Sequence, residues 1–146
     1  MYNGLVHAHS GLRWVVLALL LFAIFNAFSK KSKGAEWTDK DKKLTLFAMI
    51  FTHVQLLIGL VLYFISPLVQ FSEGFMKNPV YRFYGMEHIV TMLLAIALIT
   101  VGYSKSKRAT ESAKKFKSVA TFYLIGLLLI LAGIPWPFRD LGAGWF

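Results

Sequence analysis

The stretch Leu44–Ser66, LTLFAMIFTHVQLLIGLVLYFIS, carries no charged residue and holds a single histidine, His53, near its middle. At a rise of about 1.5 Å per residue it can cross a hydrocarbon layer of about 30 Å as one helix. Its apolar residues are continuous rather than alternating. That pattern suits a helix, which satisfies its own backbone groups in lipid, and not a barrel strand. On either side of it, Leu5–Phe28, Val80–Tyr103 and Val119–Ile134 read the same way.

Composition agrees with these windows. With 57% hydrophobic residues and a mean hydropathy of +0.59, a soluble chain of 146 residues would be coated in apolar surface. The expected fold is all-α: one integral membrane four-helix domain over residues 1–146, antiparallel and up-down, with helices at about 5–28, 44–66, 80–103 and 119–134. The connections Ser29–Lys43, Pro67–Pro79 and Ser104–Ser118 leave no room for a soluble catalytic domain. No basic residue precedes the first window and no small-x-small pattern follows it, so it reads as a retained helix rather than a cleaved signal.

Charge placement sets the expected orientation. Twelve of the sixteen basic residues lie in the first and third connections, which puts those in the cytoplasm and both termini on the outer, periplasmic side. The net charge of +9 is then topological and does not point to nucleic acid. The chain has no cysteine, which excludes disulfides, iron–sulfur clusters, thiolate zinc sites and covalent C-x-x-C-H haem attachment. Without a glycine-rich phosphate loop, an H-E-x-x-H motif or a serine nucleophile beside a base, hydrolase and nucleotide chemistry drop out.

Titratable groups inside apolar windows require compensation from the protein or a ligand. Measured from the window ends, His53 and His88 both fall near mid-membrane, about 5 Å apart in depth, which predicts two axial ligands for one haem b between the second and third helices. Gly85, His88, Met92, Ala95, Ile99 and Gly102 form a stripe on which a flat macrocycle or another helix could lie. The first helix carries His7-Ala-His-Ser-Gly-Leu-Arg-Trp14, where His9 and Arg13 share a face four residues apart. Arg13 is expected to pair with Glu87 or to hold a haem propionate, with Arg139 or Arg82 holding the other. His9 is a further candidate ligand or propionate contact, and His7, His9, His88 and Glu87 form an alternative outer-side metal site for copper or zinc. The ending IPWPFRDLGAGWF stops the fourth helix at Pro135 and is expected, with Pro67–Pro79, to cover the outer end of the bundle.

The motifs HAHSGLRW (7–14), THVQLLIGLVLY (52–63), MEH (86–88) and IPWPF (134–138) resemble those of the small four-helix bacterial inner-membrane proteins labelled cytochrome b-like, over nearly the whole length. The resemblance implies the bacterial inner membrane, a b-type haem and electron transfer. One haem is expected, with a second not excluded, since no second mid-membrane histidine pair is present. Two axial histidines would leave iron no open position, which favours electron transfer between a quinol and a membrane redox partner such as a respiratory subunit. The alternatives are an accessory or assembly subunit of a membrane complex, a copper or zinc protein, and a porphyrin oxidoreductase with one axial histidine. An oligomer is compatible with each.

Overall fold

The structure, a computed structural model, describes residues 1–146 and contains helices and turns without strands. Its four long helices are α1 (Tyr2–Ser32), α2 (Asp39–Ile65), α3 (Pro79–Arg108) and α4 (Ser112–Gly133), each long and apolar enough to cross a membrane. Short 3-10 turns lie at Phe75–Lys77 and Pro137–Arg139.

Every helix is longer than the apolar window that announces it, because polar capping and lysine-bearing turns continue the backbone pattern beyond the hydrocarbon-compatible stretch. At the start of α2, Thr38 and Asp41 form a capping box, in which the Thr38 N–H and hydroxyl both donate to Asp41 Oδ2 at 2.8 Å. Asn78 Oδ1 accepts from the N–H groups of Val80 and Tyr81 ahead of Pro79, the first residue of α3. α3 then continues through Lys105, Lys107 and Arg108, whose charges suit the negative end of the helix dipole. The α3–α4 connection is therefore residues 109–111 rather than a loop of about fifteen residues.

Tyr2 near the start of α1 hydrogen-bonds Ser66 just past the end of α2, and Asn26 near the end of α1 donates to Asp41. The most extensive helix contacts are α3 with α4, α1 with α2, and α1 with α4, while α2 and α3 touch far less. The apolar core fills one half of the bundle, from Val16 to Ala27 on α1, Ala48 on α2, Ala95 and Ile99 on α3, and Phe116 to Ile130 on α4. Within it Tyr123 is fully buried, and its hydroxyl donates to the Thr45 carbonyl at 2.8 Å, tying α4 to α2. The buried residues of α2 all lie in its first half, at Asp41, Thr45, Ala48 and Thr52.

Asp41 anchors the α1–α2 turn. Its carboxylate is 2% exposed and also accepts from Asn26 Nδ2 at 2.7 Å and from the Lys30 ammonium at 2.8 Å. Asp41→Ala would strand those donors, and the expected loss is about 2–3 kcal/mol of stability in a mixed-micelle unfolding titration. The exposed neighbour Asp39, changed to Ala, should cost less than about 0.5 kcal/mol. Equal effects would remove the anchoring role.

Candidate functional site

Where α2 leaves the core, the four helices enclose a cavity of about 270 Å³. Spacing on each helix explains which side chains reach it. α1 presents His9, Arg13 and Val16 on one face; α2 presents Thr52, Gln55, Gly59 and Tyr63, at steps of three and four. Tyr84, His88 and Met92 come from α3, and Ile130 and Ile134 from α4 and its end. Leu68 and Val69 from the α2–α3 connection and Gly142 and Ala143 from the tail also line it, so both expected covering segments reach the site.

The centre of the cavity is a histidine pair. His9 and His88 have ring centres 6.4 Å apart with planes at 74°. His88 owes its direction to a π-turn over Phe83–Glu87, where its own N–H bonds back five residues to the Phe83 carbonyl. Its Nδ1 lies 2.7 Å from the Gly133 carbonyl oxygen. A carbonyl only accepts, so Nδ1 carries the proton and the Nε2 lone pair is left bare. Gly133 is needed for that approach, because a Cβ there would stand 2.8 Å from Met92 Cε and 3.0 Å from Thr91 Cγ2. His9 is set by α2: Gln55 Nε2 donates to its backbone carbonyl at 2.8 Å, and a Cβ on Gly59 would press its Cε1 at 3.0 Å. His9 Nδ1, Gln55 Oε1 and Arg13 Nε are buried with no hydrogen-bond partner. Such groups cost about 1–3 kcal/mol each unless a ligand or water meets them.

Arg13 sits beside the pair, 8% exposed. It does not pair with Glu87. One Nη donates to the Trp145 carbonyl at 2.6 Å, an oxygen that Trp14 Nε1 also reaches at 3.1 Å, and the guanidinium lies over the rings of Trp14 and Trp136. Glu87 is exposed and accepts from Arg82 Nε at 2.6 Å. The π-turn is the reason: one extra residue in the turn rotates the later side chains of α3 by roughly 100°, sending Glu87 outward and His88 inward. Arg82 also bonds the Met76 carbonyl, and Arg139 Nη1 holds the Ala132 and Ile134 carbonyls while its guanidinium lies over Phe83.

His53 is not brought to His88. It lies 3.0 Å from Thr100 Oγ1, whose own hydroxyl donates to the Ile96 carbonyl at 2.7 Å. His53 Nε2–H is thus the donor, and that nitrogen is committed to joining α2 to α3. Thr100 is twelve residues along α3 from His88, about 18 Å at helical rise, so the two histidines cannot share an iron. The 5 Å expectation fails because window ends are not depth marks once helices continue through charged turns. The alternative metal site does not assemble either: His7 is exposed, two residues from His9 and hence on another face, and no three histidines or carboxylates lie together.

His9 and His88 remain as the residues that could share a metal. Metal–imidazole bonds of about 2 Å, with each ring centre about 1 Å behind its nitrogen, separate two ring centres by about 6 Å, close to the 6.4 Å found. The Gly133 carbonyl behind the His88 ring fits the same assignment, while His9 Nδ1 has no such partner. Gln55, Gly59, Tyr84 and Gly133 are not among the residues expected from sequence. Gln55 carried a signal, as an uncharged polar group deep in an apolar window. Comparisons with family models, curated proteins and solved structures find no match to this chain.

Arg13 also pins the tail. Arg13→Ala should speed backbone amide exchange over residues 141–146 by about tenfold or more, the equivalent of one charged hydrogen bond. Unchanged exchange would mean that the tryptophan cluster holds the tail unaided.

Proposed function

We propose that this chain is a b-type cytochrome-like electron-transfer protein of the bacterial inner membrane, with one haem held between His9 and His88. The observation that carries the reading is the pair of imidazoles 6.4 Å apart across a cavity, one anchored through Nδ1 so that Nε2 is bare. The proposed topology is antiparallel with both termini on the periplasmic side. It is supported by the Tyr2–Ser66 and Asn26–Asp41 contacts at opposite ends of α1 and α2, and by the lysines gathered in the helix turns that flank the α1–α2 and α3–α4 connections.

In this reading His9 and His88 would hold the haem iron through their imidazoles. The Gly133 carbonyl orients the His88 ring. Gln55 fixes the α1 backbone at His9, and Arg13, with Nε unpartnered, steadies an acidic edge of the ligand. The tail and the α2–α3 connection exclude water. A haem with two imidazole ligands supplies one-electron chemistry and leaves no open coordination position. A tetrapyrrole is larger than the cavity, and the sparse α2–α3 contact is the side on which the bundle can widen. Donor and acceptor come from outside the chain, a lipid-soluble quinol and a membrane redox subunit being the partners that suit its position.

Protein purified in detergent from haem-replete cells should show a reduced-minus-oxidised b-type spectrum, unaltered by carbon monoxide. His9→Ala and His88→Ala should each abolish the six-coordinate spectrum, whereas His53→Ala should keep it. Colourless wild-type protein would overturn the proposal, as would spectra insensitive to His9 and His88.

A further inference from the structure

A second recess lies at the other end of the bundle, about 300 Å³ in volume, between the last turns of α3 and the first turns of α4. Three ammonium groups border it: Lys105 from α3, and Lys114 and Lys117 from α4. Lys105 Nζ is held 5.1 Å above the Phe122 ring, which keeps the charge over the recess. The one carboxylate nearby, Glu111, is occupied by Lys114 at 2.8 Å, and neither Lys105 nor Lys117 makes an ion pair. Ser118 Oγ spends its proton on the Gly102 carbonyl at 3.0 Å, and the Thr121 hydroxyl also borders the recess and is exposed.

The side chains adjoining this charge decide its occupant. One helical face leads from Lys105 to Val101 and Leu94, at i−4 and i−11, and another from Thr121 to Ile125 and Leu128, at i+4 and i+7. All four of these apolar side chains are exposed. A cationic recess at the end of an apolar track matches a molecule with an anionic head and long alkyl chains. We infer that the α3–α4 end binds an anionic phospholipid, its phosphodiester among Lys105, Lys117 and Thr121 and its acyl chains along Val101, Leu94, Ile125 and Leu128. Free phosphate has the charge but gains nothing from the track. A zwitterionic phospholipid has the chains, but its choline meets the lysines. The site is independent of the histidine cavity, so it stands whether or not haem is bound.

The test is native mass spectrometry of the full-length protein, released from detergent after titration with phosphatidylglycerol, phosphatidylcholine or inorganic phosphate. Phosphatidylglycerol should be retained at least fivefold more than phosphatidylcholine, with no specific retention of phosphate. Lys105→Gln with Lys117→Gln should lower phosphatidylglycerol retention by about fivefold or more, the scale of one basic residue at an anionic lipid surface. Lys31→Gln with Lys42→Gln, an equal loss of charge at exposed positions in the last turn of α1 and the first turn of α2, should leave it unchanged. Equal retention of both lipids, equal losses in the two double variants, or capture of phosphate alone would overturn the inference.

Discussion

Between Phe83 and Glu87 the backbone of α3 fits one residue more into a turn than an α-helix does, and the cavity-bearing half of the molecule is organised by that insertion. Because the His88 N–H reaches back to Phe83, the side chains after the turn are rotated relative to those before it. Glu87 then meets Arg82 at the surface, and His88 faces the cavity with its Nδ1 on Gly133. The Gly85 carbonyl, within the same turn, accepts the Tyr63 hydroxyl at 2.8 Å and so fastens the irregular backbone to α2. An unbroken α-helix would place neither His88 nor Glu87 where it is.

The bundle divides its work along its length. Near the lysine-bearing helix ends, small and branched residues of α1, α3 and α4 pack closely, and Asp41 and Tyr123 draw α2 in. Toward Tyr2 and Ser66, α2 gives up burial, and polar atoms on His9, Arg13 and Gln55 stand without partners. Dense packing at one end supplies the rigidity that lets the other end hold a space lined mostly by apolar side chains, with a few polar atoms facing it. The unpartnered groups cost stability unless water or a ligand meets them.

The existence of the four helices was legible in the sequence because hydropathy over about twenty residues is a strong signal. Their ends were not, since capping at Thr38 and lysines after Tyr103 continue helices into charged sequence. That error carried into the site. Depth counted from window ends set His53 level with His88, whereas His53 reaches Thr100 and serves as an interhelical hydrogen bond. The π-turn, which no residue pattern announced, removed the expected Arg13–Glu87 pair. The shared face of His9 and Arg13 was legible, because four-residue spacing on a helix is fixed by geometry alone, and both residues line the cavity. Of the histidines and carboxylate that the sequence offered for an alternative metal site, the fold brings His9 and His88 together and leaves His7 and Glu87 exposed.

If His9 and His88 hold one iron, they do so with imidazole planes strongly rotated from each other, and that rotation has its own spectroscopic signature. Low-temperature electron paramagnetic resonance of the oxidised wild-type protein reads it. A low-spin ferric signal of the highly anisotropic kind produced by nearly perpendicular imidazole planes is expected, in keeping with the 74° between the rings. A high-spin ferric signal alone, or a sample with no haem iron, would contradict the shared-iron assignment.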